Sequence, residues 1–504
     1  MKTYAKTMFV VLIFIVTMGS LNIYGSSQPS DETIAFWVRE ALREDPRIDA
    51  SDMKVKIQSG IATLSGTANN LSSKKYAILE TKKIAGVRAV VDKLVVRVTS
   101  RSDTDITQDI LRRFLHNSDI EHQGILVKVL AGAVTLSGQV DSWAERQEAE
   151  LVASEVRGVT SVKNELKVSY ETKRPDEEIR TDVLATLRRD VYLAGLPIKV
   201  FVEKGVVTLK GSVASPYEKD RASDDSFLVV GVRDVKSLLE VEGVKPKGVR
   251  SKAPSPSNEE LRKSVRDELY QDLRVADPNE IHVEAVEGHV TLRGVVPTHY
   301  EERLATHDAK DVVGVVWVSN LLTVSAEWRE DSAVRDDVQF ELAADATLSG
   351  LNIIIRVKDG VVTLYGDVNS QHEKEHAAEV ASLVQGVREV INKITVNAVP
   401  RYNDASLKAR IETRLTSNWE TRWVADQIKV YVENGMVTLA GDVDTWAEYK
   451  EAARVASLTE GTRSVINRLR VIDVNYPWTQ SGEVKLDEKQ PVVSVEARSR
   501  SFYL

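Results

Sequence analysis

Two histidines one helical turn apart flank a glutamate in the stretch His372-Glu373-Lys374-Glu375-His376. This HExxH spacing is that of a helical zinc-protease site, in which both imidazoles hold the metal and the carboxylate acts as base. The stretch falls in the first turns of a helix, as that chemistry requires. The rest of the chain supplies a control. Glu373 stands 7 residues after Gly366, and Glu145, Glu218, Glu301 and Glu448 stand 7 after matching glycines, with Ser73 the exception. Ala144 and Glu148, or Ala447 and Glu451, occupy the histidine positions in other copies. The glutamate is therefore a repeat feature, placed where a carboxylate suits a helix N-terminus. No third ligand is evident, no Ser-His-Asp set can be argued from 8 scattered histidines, and the lack of cysteine excludes Cys-based metal sites. We expect no catalytic residue, metal or cofactor, with His372 and His376 facing water beside Lys374 and Glu375. A zinc hydrolase at this motif is the minor alternative.

The glycines that supply the control frame a hairpin written six times. GIATLSG runs from Gly60 to Gly66, GAVTLSG from Gly132 to Gly138, GVVTLKG from Gly205 to Gly211, GHVTLRG from Gly288 to Gly294, GVVTLYG from Gly360 to Gly366, and GMVTLAG from Gly435 to Gly441. The first glycine permits a tight turn with φ > 0, and the Val-Thr-Leu run has strand propensity. A third glycine follows the second by 20 residues each time: Gly86, Gly158, Gly231, Gly314, Gly386 and Gly461. It is placed to cap a helix in the left-handed region. This constant inner frame defines an internal repeat.

Before each hairpin, apolar residues recur at four-residue steps, as in Ile34, Val38 and Leu42 or Leu407, Ile411 and Leu415. These are amphipathic helices with one buried stripe. After it comes a second helix, with Ala149, Val152, Ala153 and Val156 as its apolar face in the second unit, and a last strand such as 162–168. The order predicts an α+β fold of six tandem α-β-β-α-β units, each with two helices on one face of a three-stranded mixed sheet. Their expected limits are 31–100, 103–170, 176–243, 259–326, 331–399 and 404–474. In the third unit Asp224 and Asp225 fall where other copies are mostly apolar or small, which predicts a frayed second helix there. A Pro-, Ser- and Lys-rich linker at 245–258 divides the chain three and three, and a tail at 475–504 carries no repeat beyond a short candidate strand at 492–495.

At the other end, Lys2 and Lys6 precede an apolar run at 8–18 and small residues near Gly25, the layout of a signal peptide over 1–25. Its core is shorter than the roughly 20 residues of a membrane span. Export to the periplasm is expected, with an uncleaved N-terminal anchor as the alternative. The formal charge of −8, with both signs mixed, gives no basic field for nucleic acid.

The hairpin xGxVTLxGxV and the close GVxxVxNxLxV resemble the BON domain. The second unit, GAVTLSGQVDSWAERQEAELVASEVRGVTSVKNELKV, shows the pattern best. The likeness covers nearly all of the chain after the leader. It implies kinship with periplasmic osmotically inducible proteins, outer-membrane lipoproteins and parts of secretins. It also implies binding to phospholipid or to envelope components, and no fixed catalytic residues. Multiple weak modules would then add their affinities at an anionic phospholipid surface, as peripheral membrane association. The alternative is a protein scaffold that pairs, with itself or with envelope proteins, through sheet edges. Trp143 and Trp446 lie 5 residues after the second glycine, and Tyr217 and Tyr300 lie 6 after it. They are candidate membrane or partner contacts; a hydrophobic staple at the helix entry is their structural reading. The basic pairs Lys74-Lys75, Arg112-Arg113 and Arg188-Arg189 could meet phosphates or simply be solvated.

Overall fold

The computed structural model describes residues 29–97, 101–117, 120–169, 174–242, 256–272, 274–326, 328–397 and 403–472. The expected signal peptide, most of the linker and the tail with its candidate strand lie outside these residues. The linker's expected end does not hold, because Asn258 already begins a helix capped by Ser257.

Each unit opens with a helix: Asp31–Glu44, Asp103–His116, Asp176–Arg189, Asn258–Gln271, Asp331–Ala344 and Asp404–Ser417. An antiparallel hairpin follows, Met53–Gln58 with Ile61–Ala68 in the first unit. Second helices come next: Leu71–Lys82, Trp143–Glu155, Pro216–Leu228, His299–Asp311, Gln371–Ser382 and Trp446–Ser457. The last strand, Ala89–Val96 in the first unit, runs parallel to the hairpin's second strand, which is central in the mixed sheet. Both helices cover one face. In the second unit Ile106, Ile110 and Phe114 meet Val134 and Leu136 of the central strand and Val152 and Ala153 of the second helix. Each large aliphatic side chain so buried stabilises its unit by about 1.5–3 kcal/mol.

The third unit's second helix is whole, contrary to the expectation of fraying. Ser215 caps it, Pro216 sits at its first position, and Ala222 and Val229 reach the core. Asp225 is buried, and burial followed by Asp190 raises its pKa, while Arg221 works the other way. Two apolar anchors and a sound cap outweigh one buried carboxyl.

The units are not beads on a string. The second helices of units one, two and three touch one another, and that of unit four touches those of units five and six. The two triads are stitched together through helix ends. Arg157 N donates to Ala344 O at 3.1 Å and Ala346 N to Glu155 O at 2.8 Å, joining units two and five. Val191 N to Asp311 O and Val313 N to Arg189 O, both 2.8 Å, join three and four. Ala85 N to Ser417 O and Trp419 N to Lys83 O, both 2.9 Å, join one and six. Each is a short antiparallel bridge, centred on Val156 with Asp345, Asp190 with Val312, and Ile84 with Asn418. The pairing first-with-last, second-with-fifth, third-with-fourth gives the chain an internal dyad relation. Among the described residues the six sheets stay three-stranded and separate, so units join through helices and not through the sheet edges that scaffolding was expected to use.

Candidate functional site

The HExxH stretch is built as the start of a second helix. Ser370 caps it, accepting from Glu373 N at 3.1 Å. Glu373 Oε2 reaches back to Asn369 N at 2.7 Å and Ser370 N at 3.3 Å, closing a capping box. Glu448 does the same for Asp444 N and Thr445 N. The catalytic-base position thus holds a cap whose oxygens satisfy backbone donors.

The histidines do not face water, which corrects the sequence expectation. His376 is 6 % exposed, and its Nε2 is 3.0 Å from Asp345 Oδ2, on the residue that ends the unit's first helix. Burial disfavours the imidazolium, but Asp345 and then Glu379 hold its pKa well above the usual histidine range. His372 stacks on His376 with centroids 5.5 Å apart and meets the edge of Tyr76 from unit one at 6.1 Å. Burial, followed by Arg47 and His376, pushes its pKa well below the usual value. Neighbouring groups thus push the two stacked rings in opposite directions, His376 toward the cation beside a carboxylate and His372 toward the neutral form. Among the described residues no three His, Asp or Glu side chains converge as a metal site.

The aromatic candidates lie at joints. Trp143 Nε1 donates to Val232 O of unit three at 2.9 Å, and its ring lies 4.0 Å from Phe227. Trp446 of unit six is 4 % exposed and completes the core of unit four, 6.5 Å from Trp317. Tyr217 packs against Tyr192 and against Trp419 of unit six, with Lys83 of unit one 4.6 Å from its ring. Tyr300 packs on its own unit's core. Trp446 therefore offers no face to a lipid, and Trp143 and Tyr217 hold neighbouring units rather than only their own helix entries.

The basic pairs divide. Arg113 is buried between Glu155 at 3.2 Å and Glu341 of unit five at 2.9 Å, and Arg189 contacts Glu268 of unit four at 3.3 Å. In the seam of units one and six, Glu80 receives Arg47 at 2.7 Å and Arg454 at 2.6 Å. Burial opposes that charge, yet Arg454 and Arg47 hold the Glu80 carboxyl down at about 2.

With both helices packed on one face of the sheet, each unit presents the other face. The registers place the same grid on all six, around the threonine of the VTL run. In unit one the rows read Lys54–Ser65–Lys93 and Lys56–Thr63–Val91. Unit three has Lys199–Lys210–Leu238 and Phe201–Thr208–Lys236. Unit five has Ile354–Tyr365–Lys393 and Arg356–Thr363–Ile391. Apolar side chains stand exposed on these grids among basic ones: Val95, Leu126, Phe201, Leu238, Ile354 and Tyr431. Such mixed patches are the candidate contact surfaces.

A family model described as the BON domain matches residues 30–98, 102–170, 175–243, 257–326, 330–398 and 403–473. The chain belongs to the BON-domain family. Osmotically-inducible protein Y of Escherichia coli (strain K12) is 34% identical over 155 residues, spanning 29% of this chain and 77% of that protein. Outer membrane lipoprotein DolP of Haemophilus influenzae is 30% identical over 149 residues, 29% of this chain and 73% of the lipoprotein. The 21 kDa hemolysin of Actinobacillus pleuropneumoniae is 28% identical over 150 residues, 28% of this chain and 75% of that protein. Among solved structures, the C-terminal domain of the type III secretion protein CdsD of Chlamydia trachomatis matches at 15% identity and a TM-score of 0.12, covering 44% of this chain and 99% of that domain.

Three recurring contacts of these BON units escaped the sequence reading. The first residue of the first helix clamps the hairpin turn: Asp176 accepts from Lys204 N at 2.7 Å and Gly205 N at 2.9 Å, and Asp31, Asp103, Asp331 and Asp404 repeat this. The asparagine of the closing motif ties the last strand to the second helix, Asn164 Nδ2 to Arg146 O at 2.8 Å. The residue ending the first helix pairs with a second-helix side chain 31 positions on: Asn117 with Glu148, Asp190 with Arg221, Asp345 with His376. In unit six Asn418 pairs with Glu451, 33 positions on. That near-constant spacing was the available signal.

Proposed function

We propose that this is a non-enzymatic protein of the periplasm, binding phospholipid membrane or other envelope components through several weak BON units, in envelope maintenance or stress. The observation that carries this reading is the outward face of the sheets, where apolar and basic side chains mix while the opposite face packs under the two helices. Such faces suit the boundary of head group and acyl chain. Kinship with an osmotically-inducible protein and an outer membrane lipoprotein supports an envelope setting. Among the described residues no helix is long and apolar enough to cross a membrane, so contact through these units would be peripheral. Co-sedimentation with vesicles tests the reading: binding should require anionic lipid and weaken from low to 0.5 M salt. Binding that ignores head group and salt, or no binding, would contradict it.

Scaffolding is the second reading. The outer strands of the six sheets have no strand partner from another unit among the described residues, so edge pairing with an envelope protein stays open. Capture of one defined partner without lipid would favour it.

A further inference from the structure

The six sheet faces share a grid but not a charge. In unit one the outward positions are Lys54, Lys56 and Gln58 on the first strand, Ile61, Thr63, Ser65 and Thr67 on the second, and Ala89, Val91, Lys93 and Val95 on the third. Three are lysines and none is acidic. Asp92 belongs to the opposite parity and pairs with Lys74 of the second helix at 2.8 Å. The rim acid Asp52 is neutralised by Arg97 at 2.9 Å. Lys54, Lys56 and Lys93 are exposed and surround Ser65 and Thr63. Adjacent strands lie about 4.8 Å apart, so Lys54 and Lys93 stand about 10 Å from each other across one row. Ile61, Val91 and Val95 are exposed on the same face.

Unit three is the natural comparison. It has three lysines on the same grid, Lys199, Lys210 and Lys236, but Glu203, Asp234 and Glu240 stand there too. Its face is neutral by count. Units two, five and six also mix acids into their grids, at Glu165, at Asp367 and Glu389, and at Glu433 and Asp442. The chain also enters at the rim of the first face. Asp31 accepts from Ser59 N at 2.7 Å and Gly60 N at 2.9 Å, which pins the start of unit one to the hairpin-turn end of this sheet. The N-terminal segment with the apolar run at 8–18 precedes that point.

We infer that the outward sheet face of unit one is the face by which the molecule docks on an anionic phospholipid bilayer, with Lys54, Lys56 and Lys93 meeting head-group phosphates. This rests on the membrane-binding reading above and specifies which of six faces is used. Ile61, Val91 and Val95 reach the acyl boundary while the lysine stems extend past them. The other faces contribute less because acids lower their net count from the +3 of unit one to +2 on unit two, to +1 on units five and six, and to zero on unit three and on unit four, where Glu284 opposes Arg293.

The test uses the full chain and vesicles of phosphatidylglycerol with phosphatidylcholine, against phosphatidylcholine alone, at low salt. Two triple variants are compared: Lys54→Ala with Lys56→Ala and Lys93→Ala, and Lys199→Ala with Lys210→Ala and Lys236→Ala. All six lysines lie on strand faces turned away from the helices, and thermal melting checks that both variants stay folded. The unit-one triple should weaken binding to anionic vesicles about a hundredfold, while the unit-three triple should change it less than about threefold. Equal weakening by both triples, or none by the first, would overturn the assignment while leaving membrane binding standing. Wild-type binding that is equal on both vesicle types would instead sink the membrane reading itself.

Discussion

His376 and Arg221 occupy the same place in two copies, each bonded to the aspartate that ends its unit's first helix. Their exchange should therefore be tolerated: His376→Arg should melt within about 1 kcal/mol of wild type. His376→Ala leaves Asp345 buried with no opposite charge from its own unit, and should cost about 3 kcal/mol in denaturant unfolding. An alanine variant as stable as the arginine one would remove the pair from the structure's supports. Glu373→Gln keeps a side-chain acceptor at the cap, so it should cost less than about 1 kcal/mol and change no peptidase activity, with or without added zinc. Hydrolysis present in wild type and lost in this variant would restore the zinc reading. The glutamate's role was legible from its recurrence. The burial of the histidines was not, because their partners lie 31 residues back and in another unit, where a helical pattern cannot point.

Within one unit, the order of elements, the hairpin glycines and the buried stripes were all readable, because they depend on local periodicity and on φ. Gly205 has φ +76°, and a Cβ there would stand 2.8 Å from Gly231 O. Gly205→Val should therefore destabilise the chain by at least about 2 kcal/mol, read as a fall in unfolding midpoint. An unchanged midpoint would show that the turn relaxes freely. In the third unit's second helix, acidic residues at helix positions point to fraying, while the cap and the distant core partners that hold it whole lie outside any local pattern. The clamp of Asp176 on the turn was missed for a related reason: an acid in a first helical turn already has a sufficient explanation in the helix dipole.

At the scale of the molecule, little was legible. Six similar units can be strung in many ways, and what chooses one is where the copies differ: Trp143, Trp419, Trp446, Arg113, Arg454. Trp143 and Trp446 share one repeat position yet fill different joints, against unit three and against unit four, so the repeat pattern does not say which units meet. Their seams are rich in charge and should be acid-sensitive. The Glu80 carboxyl, with burial outweighed by Arg454 and Arg47, is held at about 2, below an ordinary 4.5. A depressed carboxyl stabilises fully above its unfolded value, and that contribution is lost as pH falls from about 4.5 to about 2. Acid melts should show a loss on the order of 3 kcal/mol in that window, reduced in Glu80→Gln. A melting temperature that is flat across it would detach this group from the seam. The pairing of unit one with six, two with five and three with four also changes what cutting the linker does. A protease site placed within 245–255 should be cut readily, yet the two half-chains should co-elute in size-exclusion chromatography at the position of the uncut chain, at neutral pH and moderate salt. Two separate half-chain species would contradict a six-unit body held together by the helix-end bridges.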